Sequence, residues 1–246
     1  GTFAVESAIG SAIPADGKLL VLINGAYGKR IAEIAEYLNI AVVTLEVAEH
    51  EWVAVAALRE MLAYDTDITH VAMVHCETTS GILNPIESYA PIVKAAGKVL
   101  LVDAMSSFGG IDIKVVDLGI DFLISSANKC IQGVPGMGFV IAKRSALSLC
   151  EGRARSLSLD LFSQWKTMED NNGKWRFTSP THVVRAFQQA LSELTLEGGI
   201  EARAQRYAAN HQTLISGMKA QGFQCVMDAD KQSPFISTFV YPDSVL

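Results

Sequence analysis

The sequence predicts an α/β protein, a mostly parallel sheet covered by helices on both faces, and three observations lead there. Short aliphatic or β-branched runs alternate with longer segments whose apolar residues recur at helical spacing. Polar clusters follow the ends of those short runs, where ligands sit in open α/β sheets. Half of the 246 residues are apolar, enough to bury a large core.

In order, the strand runs are Leu19 to Ile23, Ala41 to Leu45, His70 to His75, Lys98 to Val102 and Asp121 to Ser125, with a further one over Gly136 to Ala142. Helical spacing covers Phe3 to Ile13, Lys29 to Leu38, Trp52 to Ala63 and Ile86 to Ala96. Strand and helix in alternation imply parallel strands joined by right-handed crossovers. Two long helices follow, Val183 to Leu196 and Glu201 to Gln221, separated by Gly198-Gly199, and the second leads to short strand runs at Phe223 to Met227 and Ile236 to Tyr241. The expected division is a large domain over 1–205 and, over 206–246, a linker helix with the beginning of a smaller C-terminal domain. The chain starts at Gly1-Thr2 without a methionine and ends at 242–246 just after a strand run, so both ends are expected to be cut.

The composition narrows the classes of function. A formal net charge of -6 gives no clustered cationic surface for nucleic acid. The four cysteines, Cys76, Cys130, Cys150 and Cys225, lie far apart with no CxxC pair, so neither a zinc site nor a disulfide framework is indicated; they read as free thiols of a cytoplasmic protein. No metal ligand set stands out, and no apolar run approaches the roughly 20 residues of a membrane helix. A nucleotide-binding module lacks support, because no GxGxxG follows the first strand and no GxxxxGK[ST] occurs.

The chemistry lies at the strand ends. Asp103 closes an apolar strand, where a desolvated carboxylate needs a partner; alone it reads as an ordinary loop cap. Lys129 follows the next strand end and alone reads as a solvated surface lysine. Together they are a lysine that can form a Schiff base and an acid for a pyridinium nitrogen, which pyridoxal 5'-phosphate (PLP) requires of its protein. Gly1-Thr2 opens a helical pattern whose N-terminus can cradle a phosphate or be a simple threonine cap.

Four motifs, Asn24-Gly25-Ala26-Tyr27-Gly28-Lys29-Arg30, His75-Cys76-Glu77-Thr78-Thr79-Ser80-Gly81, Val102-Asp103-Ala104-Met105-Ser106-Ser107 and Ser126-Ala127-Asn128-Lys129, together resemble the class V aminotransferases. The resemblance spans nearly the whole chain and the motifs stand in family order. It implies the PLP-dependent transferase fold type I, with a seven-stranded sheet and a smaller C-terminal α+β domain. It implies PLP as cofactor, carried by Lys129 with Asp103 at its ring nitrogen, and Gly1 and Thr2 as the phosphate loop. Tyr27 takes the place of the aromatic stacked on the ring, Thr78 that of a hydroxyl near its phenolic oxygen, and Ser126 that of a phosphate-binding serine. Family members are homodimers with shared active sites, in which a threonine matching Thr178 reaches the partner's cofactor phosphate.

Gly1 to Glu6, Ser125 to Gly133 and Trp175 to His182 are similar in wording to the members that act on 2-aminoethylphosphonate. That likeness implies transamination of 2-aminoethylphosphonate with pyruvate, giving phosphonoacetaldehyde and L-alanine in phosphonate degradation. The alternatives are another class V enzyme, such as an alanine-glyoxylate type or a PLP lyase, and a noncatalytic scaffold of the same fold. A cysteine desulfurase has no candidate for its mobile cysteine. His75 and Glu77 lie near the expected site and receive no chemical role.

Overall fold

A computed structural model describes residues 1–241. Helix α1 (Thr2–Ala12) leads into β1 (Lys18–Ile23), α2 (Ala26–Tyr37), β2 (Ala41–Glu46), α3 (Val55–Tyr64), β3 (Ile68–Val74), α4 (Ile86–Ala95), β4 (Val99–Asp103) and β5 (Phe122–Ser126). Strand β6 (Gly138–Ala142) follows, then helices α5 (Arg144–Ser148), α6 (Leu161–Asp170), α7 (Thr181–Glu197) and α8 (Gly199–Ala220), and the short strands β7 (Gln224–Cys225) and β8 (Phe239–Val240).

Six strands form the main sheet in the order β2-β1-β3-β4-β5-β6; all pairings are parallel except β5 with β6. The seven strands implied by the resemblance are thus six among the described residues. The six longer runs in the sequence are all used, and the remaining extended pieces, β7 and β8, are two residues each and pair only with one another. The strand-helix alternation is as the periodicity predicts, with ends shifted by a few residues. The 205/206 division falls inside the continuous helix α8.

The central strands are buried on both faces, which is why they read as unbroken aliphatic runs. Leu19, Val21 and Ile23 of β1 point to one face, into a cluster with Ile9, Ile31 and Ala35 of α1 and α2. Leu20 and Leu22 point to the other, against Leu58, Leu62 and Tyr89 of α3 and α4. Period-two alternation therefore divides one apolar strand between two helical layers.

Helices α5 and α6 are not among the sequence expectations. The signal for α6 was present: Asp160 accepts from the Ser163 N–H at 2.9 Å as an N-cap, ahead of Leu161, Trp165 and Met168 at helical spacing. Strand order reverses between β1 and β3, so the segments leaving their carboxyl ends diverge and open a crevice.

Candidate active site

The crevice holds a cavity of about 210 Å³ lined by Gly1, Thr2, Val5, Tyr27, Arg30, Ile31, Thr78, Asp103, Met105, Ser126, Asn128 and Lys129. Seven of the eight expected site residues, Gly1, Thr2, Tyr27, Thr78, Asp103, Ser126 and Lys129, meet there, drawn from segments as far apart as the start of the chain and the end of β5. The eighth, Thr178, is exposed in the stretch before α7 and does not line the cavity. Val5, Arg30, Ile31, Met105 and Asn128 also line it without having been expected to; Arg30, Met105 and Asn128 stand within the motifs that carry the predicted residues, which is the signal the sequence offered.

Asp103 ends β4 with 4% of its surface exposed. Its Oδ1 accepts the Met105 N–H at 2.9 Å, and among the described residues Oδ2 has no hydrogen-bond partner. Burial, opposed by the Met105 N–H, pushes its pKa up to about 6. A buried carboxylate with one oxygen unpartnered toward a cavity fits a cationic N–H donor there.

Lys129 is half-buried in the turn after β5, and its side chain makes no hydrogen bond or ion pair among the described residues. An unpaired lysine at a cavity wall is free to act as a nucleophile. Ser126, almost fully buried, lines the same cavity, and its hydroxyl has no hydrogen-bond partner among the described residues. Helix α1 begins beside it with no side-chain cap at its N-terminus, leaving backbone N–H groups for an anion. Arg30 reaches the same end, its Nη1 3.5 Å from Thr2 Oγ1, while its guanidinium lies over the Tyr27 ring at 4.9 Å. Thr78 shares a 2.7 Å hydrogen bond with Ser106, tying the segment after β3 to the one after β4.

The two nearby residues given no chemical role act as supports. Glu77 is buried and accepts the N–H groups of Tyr27 at 3.2 Å and Gly28 at 2.8 Å, capping α2 and fixing where Tyr27 and Arg30 begin. Burial raises its pKa, with those two N–H groups pulling the other way. His75 shares a 2.9 Å hydrogen bond with Ser107, and burial pushes it down to about 4, so it is neutral near pH 7.

Glu77 also explains Gly25. That backbone is extended, at φ 175°, and any residue can adopt it. A Cβ there, however, would stand 2.4 Å from Glu77 Cδ. Gly25→Ala is therefore expected to cost about 1–3 kcal/mol by overcrowding, read as a lower midpoint in urea denaturation. An unchanged midpoint would show that Glu77 can move aside.

The sequence profile of the family described as "Aminotransferase class-V" matches residues 2–244. The chain belongs to the class V aminotransferases. Within this class it is 61% identical over 242 residues to a protein of Bacillus cytotoxicus named 2-aminoethylphosphonate–pyruvate transaminase, covering 98% of this chain and 66% of that one. A Bacteroides fragilis protein of the same name is 60% identical over 242 residues, with 98% and 67% covered. Among solved structures, the alanine–glyoxylate aminotransferase of Nostoc sp. superposes with a TM-score of 0.92 at 25% identity, over 99% of this chain and 64% of that one. The pyridoxamine-pyruvate aminotransferase of Mesorhizobium loti gives 0.89 at 28% identity, over 98% and 62%. The chain thus spans about two thirds of the length of these class V relatives. No helix among the described residues is long and apolar enough to cross a membrane, and no group of three or more His, Cys, Asp or Glu there could hold a metal.

Proposed function

We propose that this chain forms the PLP-binding part of a cytoplasmic transaminase that moves the amino group of 2-aminoethylphosphonate to pyruvate, giving phosphonoacetaldehyde and L-alanine. The observation that carries the proposal is the pairing, in one cavity, of an unpaired lysine with a buried carboxylate that has an unpartnered oxygen. The choice of substrates rests on relatives near 60% identity that carry that activity in their name.

The residues fit the cofactor. Backbone N–H groups at Gly1 and Thr2, with the Ser126 hydroxyl and the Arg30 cation, would hold its phosphate. Asp103 would accept from the ring nitrogen and keep it protonated, Tyr27 would lie against the ring, and Thr78 would stand near the phenolic oxygen. When bound, PLP supplies an electron sink for the carbanion formed at the amine-bearing carbon. Lys129 would hold the cofactor through its side-chain amine, and the same amine, once released, would serve as general base and acid for the proton on the substrate carbon. Met105 and Ile31 contribute apolar lining to the same cavity.

Thr178 belongs to a second part of the proposal, a homodimer with shared sites. It is exposed, away from its own cavity, between Phe177 at 51% exposure and the α7 N-terminus, a placement compatible with reaching a partner. Residues 206–246 are read as the start of a second domain, of which β7 and β8 are the described strands.

The test is spectroscopic. The PLP-loaded protein is expected to show a visible absorption band that bleaches on adding 2-aminoethylphosphonate and returns with pyruvate. A band that instead responds only to alanine or another amino acid would place the protein elsewhere in class V, and no band at saturating PLP would end the enzyme reading.

A further inference from the structure

We infer that Arg203 of α8 is a positioning residue for Lys129, clamping from below the turn that carries it; the inference rests on the proposed role of that lysine. Arg203 is 2% exposed, an unusual site for an arginine. Its Nε and Nη2 hold Glu197 Oε2 at 2.8 and 2.7 Å, which pairs the charge. An ion pair between the end of α7 and α8 would need no more than that. Nη1, however, is aimed elsewhere: it donates to the carbonyl oxygens of Cys130 at 2.9 Å and Ile131 at 3.1 Å, the two residues directly after Lys129.

The turn itself is tight. Gly133 N–H donates to Ala127 O at 2.7 Å and Gln132 N–H to Lys129 O at 2.8 Å. Gln132 sits at φ 64°, a left-handed conformation that a non-glycine residue holds only when its surroundings enforce it. Helix α8 also holds the Gln132 side chain, one turn on from Arg203: the Tyr207 hydroxyl accepts its amide N–H at 2.8 Å, and Arg206 Nη2 donates to its Oε1 at 3.4 Å. Residues 203 and 207 are four apart and so share a helix face. One helix face therefore fixes the turn at three points beyond Lys129 without touching the cavity, since neither Arg203 nor Tyr207 lines it. Losing the clamp leaves two carbonyls without their donor and lets the turn relax, which moves the root of the lysine rather than the rest of the site.

The experiment compares PLP-loaded wild type with Arg203→Met, Arg203→Lys and Tyr207→Phe. It reads steady-state kinetics together with the fraction of bound cofactor fixed to Lys129, trapped by borohydride and measured by peptide mass. In Arg203→Met, kcat is expected to fall roughly 10- to 100-fold through misplacement of the reacting amine, with KM changed less than about three-fold, and the trapped fraction to fall with it. Arg203→Lys, keeping a cation that can reach a carbonyl, should recover part of the loss. Tyr207→Phe, which removes one hydroxyl, should move kcat the same way by roughly three-fold.

A merely structural arginine would lower thermal stability while folded, loaded protein kept the wild-type kcat and trapped fraction, and that result overturns the inference. If Arg203→Met does not fold, Tyr207→Phe decides alone: wild-type values there reject the clamp. Failure of wild type itself to trap cofactor on Lys129 would count against the proposed function instead.

Discussion

Replacing Asp103 by asparagine is expected to do two opposite things: to remove most turnover from the PLP-loaded protein and to make the cofactor-free protein more stable above pH 6. The stability effect follows from the raised pKa. A carboxyl at about 6 in the fold against 3.8 unfolded binds its proton more tightly in the folded state. By linkage, stability then falls as pH rises from near 4 to near 6 and stays low above that. At 1.36 kcal/mol per pKa unit, the ionised carboxylate costs the cofactor-free fold up to about 3 kcal/mol at pH 8. Below pH 4 the carboxyl is protonated in both states and the cost is gone. Asparagine carries no such charge, so Asp103→Asn should raise the urea midpoint at pH 8 and leave it nearly unchanged at pH 3.5. In the proposed PLP-loaded enzyme the same substitution would remove the anion opposite the ring nitrogen, and loss of one such electrostatic partner costs roughly 10²–10³-fold in kcat. Equal shifts of the midpoint at both pH values would mean that the side chain acts through packing alone. The balance is that of a functional group placed where the empty fold would be better without it.

How much of this was legible in the sequence depends on how local each signal is. The six strands of the sheet were, because parallel central strands are apolar on both faces and stand out as runs. The places of Asp103 and Lys129 were, because a strand end is a local feature, Asp103 closing one strand and Lys129 following another, whereas the chemical roles expected of them came from their combination and from family likeness. Arg30 was visible in its motif but had no assignable direction, since only the cap that Glu77 places on α2 turns it toward Thr2. Arg203 was not legible at all: a single arginine in a long helix reads as a solvated face, and its burial depends on Glu197 and on a turn more than seventy residues earlier. The count of strands and the role of Thr178 came from family likeness, and neither is written in the pattern of this chain.

Lys129→Ala should separate chemistry from scaffold most sharply. In its proposed role as the amine that both attaches the cofactor and carries the proton, Lys129 has no substitute among the residues lining the cavity: the only other side-chain cation there, Arg30, is committed to the α1 end. A loss of roughly 10⁴-fold in kcat is expected, the upper range for a positioned acid-base group. Stability should move by less than about 0.5 kcal/mol, because the Lys129 side chain makes no hydrogen bond or ion pair among the described residues. PLP should still bind through Asp103, Ser126 and the start of α1, but without covalent attachment, so dialysis should now remove it. Small primary amines added to the variant should restore part of the turnover, since the deleted side chain leaves room at a cavity wall already open to solvent. Kinetics within ten-fold of wild type, or a cofactor that survives dialysis after borohydride treatment, would assign the attachment to another lysine. In that case the unpaired amine of Lys129 would need a different explanation.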